Sequence, residues 1–222
     1  MFRRRKTHES SPRLRTRRVT IRPMQRRDMD EMHHWRRFAD PLYAPFDFPR
    51  RSAAERDQWF RWRSKDPTRR LYVIENEQRQ VIGSLTLREI DGRRSARLGI
   101  TLGADFVSQG YGTEALRRFF DYYFDILGFE RIILDVAAIN QRAIRCYQNL
   151  GFAQTDQHYQ PADPQAYQVI LREPVYRNLR RFFRAGSPHP RLLFYDMELT
   201  REAWHLRRSQ DLDGHSSDAH GR

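Results

Sequence analysis

The chain has 222 residues, a single Cys, and 41 Lys and Arg against 28 Asp and Glu, for a formal charge of +13. That length suffices for one domain with a full core, and one Cys excludes an internal disulfide, which fits a reducing, cytoplasmic setting. No apolar run reaches the span of a bilayer, no signal-peptide-like stretch opens the chain, and the positive surplus favours anionic partners over bare polycations.

Arg3-Arg4-Arg5-Lys6 and Arg13, Arg15, Arg17 and Arg18 crowd the start. A segment so rich in Arg and poor in apolar residues reads as a disordered arm over residues 1–17. It either tethers RNA or another polyanion by counterion release, through Arg3–Arg18, or is a solvated tail. Short basic runs are common, which favours the tail.

Arg18–Met24 reads as a strand, with Val19 and Ile21 alternating against Thr20 and Arg22. Asp28 is placed to cap a helix running to Phe38. Asp40–Arg51 is a loop carrying Pro41, Pro45 and Pro49, with Tyr43, Phe46 and Phe48. Ser52 and Glu55 form a capping box for a second helix. Strands follow at Leu71–Glu75, Gln80–Ile90 and Ser95–Leu102, the last two joined at the hairpin signal Asp91-Gly92.

Next comes Gln109-Gly110-Tyr111-Gly112-Thr113-Glu114. Behind it Leu116, Phe119, Phe120, Tyr123, Phe124 and Leu127 share one helical face. The glycines therefore open a helix, whose free N–H groups and positive dipole end suit a phosphate or pyrophosphate. Thr113-Glu114 lacks the Lys-Ser/Thr pair of a P-loop. A dinucleotide fold would need a third glycine and a parallel βαβ pattern. On spacing alone, a glycine-eased loop without a ligand explains the turn about as well.

Gly128 ends that helix, and Arg131–Val136 is the next strand. Asn140 then caps a short helix closed by Gly151, with Ile139 and Ile144 placed as a hydrophobic staple. A strand at Phe152–Asp156 should turn back directly into the last one, Leu192–Leu199, yet a long segment, about His158–Pro190, intervenes. Within it Pro174 suits a first helical position, Val175, Leu179, Phe182 and Phe183 share a face, and Gly186 ends the helix. The segment reads equally as an acceptor lid bearing Arg177, Arg180, Arg181 and Arg184, or as a packed amphipathic helix. Residues 207–222 read as a disordered tail.

The order of glycine turn, helix, strand, Asn-capped helix with an inward Tyr, and Gly-Phe resembles the GNAT acyl-CoA N-acyltransferases. The stretch Leu98–Phe152 is most similar to their RimJ/RimL-type branch, and a weaker resemblance runs from about Arg18 to Thr200. The resemblance implies an α/β (α+β) fold: a mixed central sheet splayed around the acyl-CoA site and flanked by helices. It implies one domain over residues 18–206, with the insertion at about 158–190. It implies an acetyl-CoA-dependent N-acetyltransferase without a metal. A primary amine, of a protein N-terminus or a small molecule, would attack directly in a ternary complex. The alternative is a non-catalytic module of this fold, tethered to RNA or a ribosome by its basic arm. Oligomeric state stays open, a homodimer included.

The resemblance also assigns roles. Main-chain N–H groups across Gln109, Gly110, Tyr111, Gly112 and Thr113 would hold the pyrophosphate of CoA. A free N–H near Thr101-Leu102 would receive the oxyanion. Tyr147 matches the general acid that protonates the leaving thiolate, and Asn140, seven residues earlier on the same helix face, would bond pantetheine or acceptor. A core aromatic and a plain N-cap are the bland readings of these two. Relatives often carry a Glu in an Ala-Glu-Leu-Gly-Ile-like run, but here it is Ala96-Arg97-Leu98-Gly99-Ile100. Arg97 cannot act as a base, so Glu89 or water is left to take the amine proton. That missing Glu, with the basic balance, argues mildly against a polycationic acceptor such as spermidine. Val107 and Ser108 also depart from the usual turn residues.

Overall fold

The computed structural model describes residues 12–186 and 188–217, with side chains described through residue 210. Residues 1–11, with the first basic cluster, lie outside the described residues.

Folded structure begins earlier than the composition implies. Strand β1 (Leu14–Arg15) pairs antiparallel with β2 (Thr20–Pro23), so residues 14–17 are not a disordered arm. Leu14 is buried in the main core, and Thr16 bonds the carbonyl of Val19 across the turn. One apolar residue and one turn bond are enough to dock a short basic segment that periodicity alone could not detect.

Helix α1 (Asp28–His33) is shorter than expected, and Asp28 is not its side-chain cap. The Asp28 carboxylate is buried and accepts two bonds from Arg22, at 2.7 and 2.8 Å, while Arg22 Nε donates to Glu75 at 2.7 Å. The chain leaves the helix because Trp35 turns inward and its indole N–H donates to the carbonyl of Val81 at 2.8 Å. A 3-10 turn (Pro41–Phe46) follows, with Asp40 accepting from the Leu42 N–H. Helix α2 (Ala53–Lys65) carries the expected Ser52–Glu55 capping box.

The central strands are β3 (Arg70–Glu75), β4 (Val81–Asp91), β5 (Ser95–Leu102), β6 (Arg131–Ala137), β7 (Ala153–Pro161), β8 (Phe183–Arg184) and β9 (Arg191–Thr200). The sheet runs β1-β2-β3-β4-β5-β6-β9-β7, with β8 also on β9. Every pair is antiparallel except β5–β6, which is parallel and joined only from Ser95–Arg97 to Arg131–Ile133. Beyond that, β5 stays with β4 as far as Leu102 and β6 stays with β9 as far as Ala137, so the sheet splits between them. This is the mixed, splayed α/β sheet that the sequence resemblance implies.

Helix α3 (Tyr111–Asp121), extended by a π turn (Tyr122–Ile126), fills one face. Its Leu116, Phe119, Phe120, Tyr123 and Phe124 pack on Leu85, Leu87, Leu98, Ile132 and Leu134 of the sheet. The other face receives Met29, Met32 and Trp35 over Val73 and Val81. Helix α4 (Gln141–Asn149) follows β6, though Ile139 and Ile144 enter different apolar clusters instead of forming a staple. Helix α6 (Arg201–Ser217) replaces the expected break after residue 206, so 207–217 are helical. Buried Trp204 anchors it against Phe120 with ring centres 5.5 Å apart.

The inserted segment is smaller than its sequence span. β7 runs on to Pro161, leaving α5 (Pro164–Arg172), a 3-10 segment (Pro174–Phe182) and β8. The expected apolar stripe shifts, because a 3-10 helix repeats every three residues, not 3.6. Tyr176, Leu179 and Phe182 face inward, and Val175 is 80% exposed.

Buried Arg22, Asp28 and Glu75 tie β2, α1 and β3 into one ion triad. Asp28→Asn leaves Arg22 half-compensated and should cost about 3–5 kcal/mol. Urea denaturation checks this, and an unchanged midpoint would mean that the triad contributes nothing.

Candidate active site

The split opens into a cavity of about 400 Å³. β5 contributes Ile100, Thr101 and Leu102, the turn Val107, Ser108, Gly110, Gly112 and Thr113, and α4 Asn140, Arg142, Ala143, Cys146 and Tyr147. The loop before α2 closes the remaining wall with Phe38, Pro45, Phe46 and Asp47.

The turn has the form an anion needs. Gly110 precedes α3 with φ +83°, a left-handed conformation natural to glycine, and no side chain caps the helix. The first helical bond runs from the Glu114 N–H to the Gly110 carbonyl at 3.0 Å. The N–H groups of Tyr111, Gly112 and Thr113 precede it and have no carbonyl within the helix to bond. Ser108 also has a positive φ, +61°, a conformation that glycine adopts more readily. Arg142 reaches the turn, with Nη1 3.5 Å from Ser108 Oγ, and lies over the Tyr43 ring at 5.2 Å.

On β5, the Gly103 N–H donates to Ile82 of β4 at 3.0 Å. Alternation along the strand directs the Leu102 and Ile100 N–H groups the other way, into the split where β6 has departed. Of the Thr101-Leu102 pair it is therefore Leu102 whose N–H faces the split.

On α4, Asn140 Oδ1 accepts from the Ala143 N–H at 3.2 Å, so its capping role is real and its amide N–H groups are not spent by it. Tyr147 lies two helical turns on, 9% exposed, with its ring 5.6 Å from that of Phe152. Burial, then the neighbouring Cys146 and Asp135, push its pKa well above the ordinary tyrosine range. Its hydroxyl keeps its proton at neutral pH, and burial alone makes it a weaker acid than a free tyrosine. Cys146 bonds Thr113 at 3.2 Å across the α3–α4 contact, and burial raises its pKa.

Three expected residues stand apart from the cavity lining. Glu89 lies at a bulge in β4, with φ +54°, and accepts from Arg97 Nε at 2.8 Å. Arg97 also reaches Asp135 of β6 at 3.1 Å, tying the two halves of the sheet just where they part. The Gln109 side chain turns back to the Asp105 carbonyl at 2.6 Å, and Tyr111 lies beneath the Arg18 guanidinium, 5.0 Å from its ring centre. The sequence reading did not single out Phe38, Asp47 and Arg142. Proline and aromatic crowding in Asp40–Arg51 pointed toward Asp47, the helical spacing of Arg142 and Cys146 toward Arg142, and no local signal toward Phe38.

A sheet split at a parallel strand pair, over a glycine turn that opens a helix, defines an acyl-CoA-dependent N-acyltransferase. The family model for the acetyltransferase (GNAT) domain matches residues 18–153, and the chain belongs to that family. It is an N-acetyltransferase that uses acetyl-CoA. The chain is 28% identical over 137 residues to the spermidine N(1)-acetyltransferase of Vibrio cholerae, covering 61% of this chain and 79% of that protein. It is 27% identical over 136 residues to the enzyme of that name in Escherichia coli K12, covering 61% and 73%. In structure it is similar to the V. cholerae spermidine N-acetyltransferase in complex with CoA and spermine, with a TM-score of 0.61, 22% identity, and 84% and 97% coverage. These relatives support the superfamily but do not single out the RimJ/RimL-type branch. Among the described residues, no group of three or more His, Cys, Asp or Glu is placed to hold a metal ion, and no helix is long and apolar enough to cross a membrane.

Gly112 lines the cavity, and a Cβ there would already meet Leu102 Cδ1 at 3.2 Å. Gly112→Val should abolish measurable acetyl-CoA binding by calorimetry while the protein stays folded. Unchanged affinity would move the pyrophosphate elsewhere.

Proposed function

We propose that the chain acetylates a primary amine of a small cationic acceptor of the spermidine type, by direct attack on acetyl-CoA. One observation carries this reading: the open turn, the unpaired edge of β5 and the buried Tyr147 converge on a single cavity at the split. The N–H groups of Gly110, Tyr111, Gly112 and Thr113, with Arg142, would hold the pyrophosphate. The pantetheine would run along Leu102 toward Asn140 and Tyr147.

The acceptor nitrogen attacks the thioester carbon, and the developing oxyanion takes the Leu102 N–H. As the C–S bond breaks, Tyr147 gives its proton to the thiolate and recovers one from solvent. The ammonium proton leaves to water. Glu89 is a poor candidate for this step, because Arg97 occupies its carboxylate.

The charge of the lining supports a cationic acceptor in spite of the overall +13. Of the lining residues only Asp47 and Arg142 are charged, one of each sign. Arg142 belongs to the phosphate turn, whereas Asp47 closes the loop wall by accepting from the Phe38 N–H at 2.9 Å. Spermidine acetylation by the relatives agrees with an amine held on the Asp47 side, against the expectation from bulk charge.

Thiol release from acetyl-CoA should be fastest with spermidine or spermine, and slow with N-terminal peptides. Release with peptides alone would overturn the acceptor assignment, and release with no amine would overturn the activity. Tyr147→Phe keeps the ring and its packing, so it should melt normally but lose about a hundredfold to ten-thousandfold in kcat. An unaltered kcat removes Tyr147 from the chemistry.

The inserted segment supports the acceptor wall. Tyr176 Oη donates to Asp40 at 2.5 Å, the same carboxylate that caps the Pro41–Phe46 turn. Leu42 of that turn is buried with Ile170 and Phe182 of the insertion. Tyr176→Phe should raise the acceptor KM several-fold and leave acetyl-CoA affinity unchanged. The bond to Asp40, then burial, raises the Tyr176 pKa to about 12. Its stabilisation is full below the unfolded value near 10 and is lost as pH rises through about 12.

A further inference from the structure

Glu114 occupies the first turn of α3, at the helix end whose N–H groups face the cavity. A carboxylate there favours the helix dipole but repels a bound pyrophosphate. The β1–β2 connection closes over it. Thr16 Oγ1 donates to Glu114 at 2.6 Å, the Arg18 main-chain N–H at 2.9 Å, and Arg18 Nε at 2.7 Å. Burial alone would raise the Glu114 pKa, but these bonds and the Arg18 charge outweigh it and hold the carboxyl ionised below its usual range.

The same guanidinium braces the turn itself. Nη1 donates to the Gln109 carbonyl at 3.0 Å, and the group lies over the Tyr111 ring. Nη2 stands so near Gly110 that a Cβ on that residue would meet it at 3.0 Å. One side chain thus touches both sides of the glycine, the glycine itself and the acidic residue behind it. It stands at the boundary between the basic N-terminal segment and β2.

We propose that Arg18 is a positioning residue of the acetyl-CoA site: paired with Glu114 beside the 109–111 turn, it screens that carboxylate from the pyrophosphate. The inference rests on the assignment of CoA to this turn. Charge screening and simple bracing make different predictions for the two partners. If Arg18 only braces, removing either partner harms binding. If it screens a repulsive carboxylate, Glu114 without Arg18 is worse than neither.

Acetyl-CoA is titrated by calorimetry into the full chain and its R18Q, E114Q and R18Q/E114Q variants, with thermal melts beside them. R18Q should weaken acetyl-CoA about tenfold with the acceptor KM unmoved, and the gap should narrow as salt is raised. E114Q should bind at least as tightly as the parent, and the double variant should recover most of the loss. Should R18Q not fold, R18K keeps the charge without the fork and should stay within about threefold of the parent. Unchanged affinity in R18Q, equal losses in R18Q and E114Q, absence of recovery in the double variant, or a collapse of binding in folded R18K would each overturn the proposal. A parent that binds no acetyl-CoA would instead overturn the assignment of the turn.

Discussion

The three-residue parallel contact between β5 and β6 is the constraint on which the rest of this molecule depends. Each strand has a longer antiparallel commitment on its other side, β5 to β4 and β6 to β9. The twist of two such half-sheets is absorbed where they meet, and the weak parallel seam opens. Opening leaves main-chain N–H groups of β5 without partners in a partly apolar gap, a state tolerable only if something else bonds them. A ligand with an amide-rich arm and a thioester carbonyl is suited to fill that gap. Arg97, reaching from β5 to Asp135, marks the point where pairing ends.

The helices respond to the same opening. α3 begins at the mouth of the split and α4 beside it, so the glycine turn and Tyr147 line one cavity without any motif joining them in sequence. Thr113 and Cys146 form the contact between the two helices, just behind the turn. The wall opposite comes from a proline-rich loop that has little regular structure of its own. It is held by Asp40, by buried Leu42 and by an insertion more than a hundred residues away along the chain.

Charge is distributed in a way that the total conceals. Among the residues that line the cavity, the charged ones are Arg142, near the glycine turn, and Asp47, on the loop before α2. Three buried or half-buried Arg residues are matched by carboxylates: Arg22 by Asp28 and Glu75, Arg18 by Glu114, and Arg97 by Glu89 and Asp135. Matching of this kind gives modest stability at the surface and strong geometric direction inside. Net charge therefore does not describe the lining of the cavity.

Much of the fold was legible because its signals are local. β5 runs over Ser95–Leu102, where alternation and the Asp91-Gly92 turn place it, and Ser52 and Asn140 cap the helices behind them. The glycine pair, Asn140 and Tyr147 were readable for the same reason, since their spacing reflects single turns of helix. What the sequence left hidden depends on partners far along the chain. β1 exists because Leu14 finds the core, and Asp28 leaves its capping position because Arg22 offers it a bidentate bond in a buried site. The inserted segment faces inward through Tyr176 in place of Val175, because packing tightened it to a three-residue repeat. The sequence by itself determined the central strands, the caps Ser52 and Asn140, the glycine turn that opens α3 and the place of Tyr147 on α4, since each is encoded within a turn or two of backbone. The tertiary structure alone decided where the sheet splits, which residues wall the cavity and which charges cancel, because these depend on pairings between segments that local spacing cannot see.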